Sequence, residues 1–282
     1  MNILLLGGTG YLGGNITKYL TTRGHQVFCV VRNSSDISRL RTISGIKLIS
    51  NEPGQINLTF VQEQIDWVIN AVCTYKPNAS LYGDMLQSNV IFPLSVLNLA
   101  IQHQVRNFMT MGTGLPDEFN VYSFTKAKFS DFGRFLSRHD GINFVDLRLE
   151  LFYGGWCEPD KRFLRACKLK LEHGEPLLLT TGVQKRDIIR VEDIVALIDR
   201  LLTTHYVQGY RALPVGTGEQ HTIREIVGYM REQMQSKSEL RFGAVPSRKD
   251  EPDTLADVAW YREIDFSLQY DYYAGLRAVC LN

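Results

Sequence analysis

Apolar and polar positions fall into alternating blocks along the first half of the chain. Ile3 to Leu6 form a continuous apolar run, as a strand covered on both faces requires, and Leu12, Ile16 and Leu20 follow at helical spacing. Further strand-like runs occur at Gln26 to Val31, Ile46 to Ile49, Asp66 to Val72, Val105 to Met111 and Ile142 to Leu147. Between them the periodicity predicts a long helix from about Leu81 to Gln102, with Met85, Val90, Leu94, Leu97 and Ile101 spaced for burial. A second runs from Asn120 to Arg138, with Phe129, Phe132 and Leu136 on its packed side. Strand and helix signals alternate throughout, which predicts the α/β class with a doubly wound parallel sheet and ligands at the carboxyl ends of its strands.

After Arg148 the pattern changes. Leu149 to Trp156 reads as an aromatic, glycine-rich loop, Phe163 to His173 as a basic helix and Pro176 to Thr181 as a short strand. A helix at about Ile194 to Leu202, a strand and glycine turn at Leu213 to Gly218, a last helix near Thr222 to Met234 and a tail with Arg248 and Asp250 follow. The expected division is a dinucleotide-binding domain over 1–150 and a smaller C-terminal α/β substrate-binding domain over 151–282, with a segment near 186–205 returning to the sheet.

Charge narrows the function classes. Thirty-one basic residues against thirty acidic ones, in 282, leave a formal charge of +1, so no nucleic-acid partner is expected. The five cysteines form no Cys-x-x-Cys pair and fit reduced thiols of a cytoplasmic protein. The N-terminal apolar run is too short for a membrane span and lacks the basic start of a signal peptide, and no later run is expected to reach spanning length. The six histidines show no ligand spacing, so no metal site is expected, and no Gly-x-Ser-x-Gly elbow occurs.

Two stretches carry candidate chemistry. Gly7-Gly8-Thr9-Gly10-Tyr11-Leu12-Gly13 stands between the first strand and the first helix. Glycines at positions 7, 10 and 13 permit a tight turn, close approach of backbone N–H groups to a pyrophosphate and close helix packing. The second strand ends in Arg32-Asn33-Ser34, a cation and hydrogen-bonding groups where a free ribose hydroxyl would want an acid; this favours NADPH over NADH. The strand from Asp66 passes beneath such a cofactor, and its tail, Cys73-Thr74-Tyr75-Lys76, lines the nicotinamide side. Asn89, on a helix expected to be central, is expected to bond backbone rather than substrate.

Further on, Thr113 ends an apolar run, and Tyr122 and Lys126 are four residues apart, on one helix face. Reducing a ketone requires a hydride at carbon and a proton at oxygen; a nicotinamide supplies the first and Tyr122 the second. Bringing a tyrosine from a pKa of about 10 to near 7 takes roughly 4 kcal/mol. An ammonium about 4 Å away in a partly buried site contributes on that order, so Lys126 is sufficient. Thr113 is placed to polarise the substrate oxygen. The residues after it, Gly114-Leu115-Pro116, are not carboxylates, which argues against dehydration.

Gly7-x-x-Gly10-x-x-Gly13, Thr113 and Tyr122-x-x-x-Lys126 together resemble the extended short-chain dehydrogenase/reductase family, in the branch that acts on nucleotide sugars. Arg148-Leu-Glu-x-x-Tyr153-Gly154, Gln184-x-Arg186-Asp187, Val215-Gly-Thr-Gly218 and Arg248-x-Asp250 are similar to that branch's second-half motifs, so the likeness spans nearly the whole chain. The wording of Gly112 to Pro116, Tyr122 to Lys126 and Arg148 to Gly154 is similar to 4-ketoreductases of the CDP-paratose and CDP-abequose synthase type. The resemblance implies a Rossmann-type sheet and a homodimer. It implies a cofactor site including Gly7, Thr9, Gly10, Tyr11, Leu12, Gly13, Arg32, Asn33, Ser34, Ala71, Cys73 and Lys126. For substrate it implies Thr74, Tyr75, Glu150, Leu151, Phe152, Phe163, Arg186 and Arg248, with Arg186 and Arg248 as clamps. Glu150 faces sugar hydroxyls or pairs with an arginine; the sequence leaves both open. Leu151 departs from the asparagine that many relatives carry there. The leading expectation is NADPH-dependent reduction of the C4 ketone of a nucleotide-linked deoxyhexose. The alternatives are a C4 epimerase of a nucleotide hexose and a non-enzymatic NADPH sensor.

Overall fold

The structure, a computed structural model, describes residues 1–75 and 82–281. It forms two compact units, Met1–Arg148 with Val195–Leu213, and Leu149–Ile194 with Pro214–Asn282.

In the first unit, β1 (Asn2–Leu6) is followed by α1 (Tyr11–Thr22), β2 (Gln26–Val31), β3 (Ile46–Ser50), α2 (Pro53–Gln62) and β4 (Trp67–Asn70). A helical run then comprises α3 (Tyr82–Leu86), a π-helical turn at Gln87–Ile91 and α4 (Phe92–Gln102). Next come β5 (Asn107–Met111), α5 (Val121–Asp140) and β6 (Asn143–Leu149). The sheet order is β3-β2-β1-β4-β5-β6, with the strand Tyr210–Val215 at the β6 edge. The pairs from β3 to β6 are all parallel. This is the Rossmann-type doubly wound sheet that the alternating pattern predicts. Chain order reverses between β1 and β4, which opens the crevice at their carboxyl ends.

Local sequence explains the details. The core joins Leu4, Leu6, Val68 and Phe108 of the strands to Val90, Val96, Leu97 and Phe129 of the helices. The π-helical turn precedes Pro93, which has no N–H to donate to the carbonyl of Asn89; the chain widens there and Asn89 turns inward. By length and composition alone the run Tyr82–Gln102 could cross a bilayer, contrary to the expectation that no later run would. Met85, Val90, Val96, Leu97 and Ala100 of this run are nonetheless buried, and Leu94 and Ile101 pack against the same core. Its expected start, Leu81, lies outside the described residues, as does Lys76. Phe132, expected on the packed side of α5, is 44% exposed. Phe129 and Leu136 do pack inward.

The second unit contains β7 (Leu151–Tyr153), α6 (Phe163–Glu172), β8 (Leu177–Leu179), β9 (Lys185–Arg186) and β10 (Ile188–Arg190). After α7 (Val191–Thr203) and β11, the strand Tyr210–Val215 already placed, come β12 (His221–Thr222), α8 (Ile223–Gln233), β13 (Leu240–Phe242) and α9 (Tyr272–Leu281). Three two-stranded pairs, β10-β7, β12-β9 and β13-β8, surround a core of Tyr153, Leu164, Ile188, Val227, Met230 and Leu276. The helix α9 lies beyond the stretch expected to hold the last one.

Candidate active site

The turn after β1 is built to exclude side chains. Gly7 has a φ of +80°, and a Cβ on it would lie 2.9 Å from the Ala71 carbonyl carbon and oxygen and the Val72 nitrogen. A Cβ on Gly13 would sit 2.1 Å from the Gly7 oxygen. The loop therefore closes onto the residues that leave β4, at the point where strand order reverses. Gly10 caps α1 in extended conformation, and among the described residues no side chain bonds the cap and no acid occupies the first turn, which suits the positive helix end to an external anion. Thr9 and Tyr11 are half-buried and Leu12 is buried beside them. Arg32, Asn33 and Ser34 are exposed just past β2. This loop fits a dinucleotide.

A capping box starts α5: Ser123 N–H donates to Asn120 Oδ1 at 2.9 Å, and Asn120 N–H donates to Ser123 Oγ at 3.1 Å. One turn of helix then presents Tyr122 and Lys126 on one face. The side chains of Thr113 and Cys73 act on the Tyr122 phenol. Burial, then the Cys73 and Tyr75 groups, push its pKa up, and the Thr113 hydroxyl pulls it down. Lys126, 5% exposed, donates to the Val72 carbonyl at 2.9 Å. Its pKa is lowered by burial, against the pull of Cys73 and Asp146. The Lys126 ammonium thus braces the exit of β4, and the tyrosine is a neutral phenol. The expectation that Lys126 lowers Tyr122 finds no counterpart in this geometry.

Asn89 bonds backbone, as its position suggested. Thr74 N–H donates to Asn89 Oδ1 at 2.8 Å, and Asn89 Nδ2 donates to the Thr74 carbonyl at 3.1 Å and to Thr125 Oγ1 at 3.0 Å. The Tyr75 ring meets the Tyr122 ring edge-on at 5.0 Å. Three of the expected lining residues, Cys73, Thr74 and Tyr75, are in this way brought against α5. Asp117, the first acid after Thr113, faces Arg148 at 3.8 Å. The contacts of Cys73 and Tyr75 with Tyr122, and the Thr125 link, had no sequence signal, because they depend on how the β4 exit crosses the helix.

Within the second unit, Arg186 is buried and committed. Its Nη1 donates to the carbonyls of Pro252 (2.5 Å) and Lys185 (2.8 Å), and its Nη2 pairs with Glu251 at 2.6 Å. Asp187 accepts from Thr217 N–H and hydroxyl and from the N–H groups of Gly218 and Ala256, at 2.6–3.2 Å. It ties the Gly216-Thr217-Gly218 turn to the 252–256 segment. Glu150 is buried beside the Thr254 hydroxyl, and burial with the nearby Asp187 pushes its pKa up to about 7. Leu151 and Phe163 pack partly into the unit's core, Phe152 lies under the Arg162 guanidinium at 4.3 Å, and Arg248 is exposed. Among the described residues no group of three or more His, Cys, Asp and Glu side chains is placed to hold a metal ion.

The profile of the NAD dependent epimerase/dehydratase family matches residues 3–216. The chain is 21% identical to the CDP-abequose synthase of Salmonella muenchen, over 98% of this chain and 95% of that one. To the CDP-abequose synthase of Salmonella typhimurium it is 26% identical, over 97% and 95%. Among solved structures, the UDP-glucose 4-epimerase of Thermotoga maritima, determined with UDP-glucose, matches with a TM-score of 0.87 at 19% identity, covering 100% of this chain and 98% of that one.

Proposed function

This chain belongs to the NAD dependent epimerase/dehydratase family, and from that premise we propose that it uses NADPH to reduce the C4 ketone of a nucleotide-linked 4-keto-deoxyhexose, with a CDP-sugar favoured. The similarity to CDP-abequose synthases over nearly the full length supports the substrate class. One observation carries the reaction type: a neutral Tyr122 whose phenol is acted on by Thr113, with the nearest following carboxylate engaged by Arg148.

The bound nicotinamide supplies the hydride. Tyr122 donates its proton to the carbonyl oxygen as charge develops there, and Thr113 shares a hydrogen bond with that oxygen. A phenol whose pKa is raised by burial holds its proton across the neutral range, so it is ready as an acid at the outset. Lys126 fixes the β4 exit through the Val72 carbonyl. Glycines 7 and 13 and the uncapped start of α1 hold the pyrophosphate, while Arg32 takes the ribose phosphate.

A homodimer is part of this reading. Phe124, Phe132 and Phe135 of α5 and Tyr82, Leu86 and Ile91 of the neighbouring helical run are exposed apolar residues in the first unit, suited to a helix-to-helix contact between copies.

The test is loss of reduced-nicotinamide absorbance when the protein is mixed with NADPH and a CDP-4-keto-3,6-dideoxyhexose. Tyr122→Phe should lower kcat by about 10²–10⁴-fold. Failure to oxidise NADPH with any nucleotide 4-ketosugar refutes the reading. Interconversion of C4 epimers on tightly held cofactor, without net oxidation, assigns the epimerase reaction instead.

A further inference from the structure

The glycine loop rests on two surfaces. One is the β4 exit at Ala71 and Val72, which Gly7 meets; the other is a buried pair of side chains that Gly8 meets. A Cβ on Gly8 would stand 2.9 Å from Cys29 Sγ, and 3.4 Å from both Cys29 Cβ and Thr17 Oγ1. Cys29 belongs to β2, in register with Leu5 of β1 and Leu48 of β3, and Thr17 lies on the buried face of α1. Both are 0% exposed.

The hydrogen bonds of this pair have a fixed direction. The Thr17 hydroxyl donates to the Gly13 carbonyl at 2.8 Å, and Thr17 Oγ1 lies 3.4 Å from Cys29 Sγ. A hydroxyl has a single proton, so the thiol is the donor in the second bond. Burial pushes the Cys29 thiol up to about 11, against the pull of Thr17, and the sulfur keeps its proton across the neutral range. A relay therefore runs from the β2 sulfur through Thr17 to the carbonyl of Gly13. The pair touches the loop twice, at Gly8 by packing and at Gly13 by hydrogen bond, on either side of the Gly10 cap.

Gly8 differs from Gly7 in its backbone. It lies outside the left-handed region, so an alanine there meets no backbone strain. The Cys29 sulfur is its nearest obstacle, and the next atoms stand at ordinary contact distance.

We infer that Thr17 and Cys29 are positioning residues for the dinucleotide: the sulfur sets where Gly8 lies and the hydroxyl where Gly13 lies, so the pair fixes the backbone groups offered to the pyrophosphate. Its consequence for binding rests on the reading of this loop as a cofactor site; the seat itself is measurable without cofactor.

The experiment is fluorescence titration of NADPH into the full chain and its variants. Gly8→Ala should weaken binding by about tenfold or more, and adding Cys29→Ala, which removes the obstructing sulfur, should recover most of that loss. Thr17→Val keeps the shape but takes the acceptor from the thiol and the hydroxyl from the Gly13 carbonyl. It should weaken binding by about threefold or more, with Thr17→Ser restoring it. A role in packing alone would lower the unfolding midpoint and leave affinity at the wild-type value; that result, or a Gly8→Ala loss that Cys29→Ala does not relieve, overturns the inference. Should Gly8→Ala fail to fold, Thr17→Val and Thr17→Ser decide. A wild-type protein that binds neither NADPH nor NADH counts against the cofactor reading alone. The seat is then read from the backbone amide NMR signals of Gly8 and Gly13 in the glycine-labelled chain: both should shift in Thr17→Val, and unchanged signals overturn it.

Discussion

Replacing Glu150 with glutamine isolates the cost of one buried acid. Glu150 follows β6, its N–H donates to the Val215 carbonyl at 2.9 Å, and its side chain is buried. Burial first, and the Asp187 carboxylate after it, raise the pKa from 4.5 to about 7, against the pull of the nearby Thr254 hydroxyl and the Arg186 charge. The folded protein thus binds this proton more tightly than the unfolded chain does. Stability from this group is fully present below pH 4.5 and is lost as pH rises through about 7. A shift of roughly 2.5 units at 1.36 kcal/mol each amounts to about 3 kcal/mol. Glutamine preserves shape and does not titrate, so Glu150→Gln should match the wild type near the acid end of this window and exceed it by up to about 3 kcal/mol above it. Asp193, raised to about 6, and Asp187, raised by burial, tilt the wild-type curve the same way. The informative quantity is therefore the difference between the two proteins, measured by urea unfolding across the pH series. A difference that is flat with pH, or that grows toward acid, refutes the reasoning.

Gly13→Ala places a methyl against the Gly7 carbonyl and should weaken NADPH binding at least about tenfold by fluorescence titration, with a stability loss of about 1–3 kcal/mol. Wild-type affinity in that variant removes the cofactor from this loop. Arg32→Ala should reduce the preference for NADPH over NADH, as a ratio of kcat/KM, by about tenfold, and an unaltered ratio transfers the phosphate contact elsewhere. Phe132→Ser with Phe135→Ser should convert a dimer to monomer in sedimentation velocity; a wild-type monomer at micromolar concentration rules out the α5 contact.

How much of this was legible in the chain follows the range of the interactions. Strands β1 to β6 and helix α5 are recorded in runs of neighbouring residues, so periodicity finds them, and glycines 7, 10 and 13 announce their turn by spacing. Asn89 was legible as a buried polar residue on a central helix, though not the π-helical turn that aims it, which arises from Pro93 four residues later. Phe132 misled because a helix face exposed on an isolated chain looks like a packed one. Arg186 was placed as a clamp by motif, but its bonds to Glu251 and Pro252 come from residues more than sixty positions away. Asp146 reads in sequence as one acid in Val-Asp-Leu-Arg; only the crossing of β6 beneath α5 makes it a neighbour of Ser130.

The same long-range contacts decide how Tyr122 is held. Four bonds tie three elements together at the exit of β4: Lys126 to the Val72 carbonyl, Asn89 to both backbone groups of Thr74, and Asn89 to Thr125 on α5. Val72 N–H is fixed in turn to Asn70 Oδ1 at 3.1 Å, and Asn70 Nδ2 to Thr110 on β5 at 3.0 Å. The glycine loop rests on Ala71 and Val72. A single four-residue segment consequently sets the position of the glycine loop on one side and of Tyr122 on the other. In the proposed reduction, hydride and proton must reach adjacent atoms of one carbonyl, and an error of about 1 Å between their sources can cost about 10²-fold in rate. In that proposal, the glycine loop and Tyr122 are held by one backbone segment rather than by separate parts of the sheet.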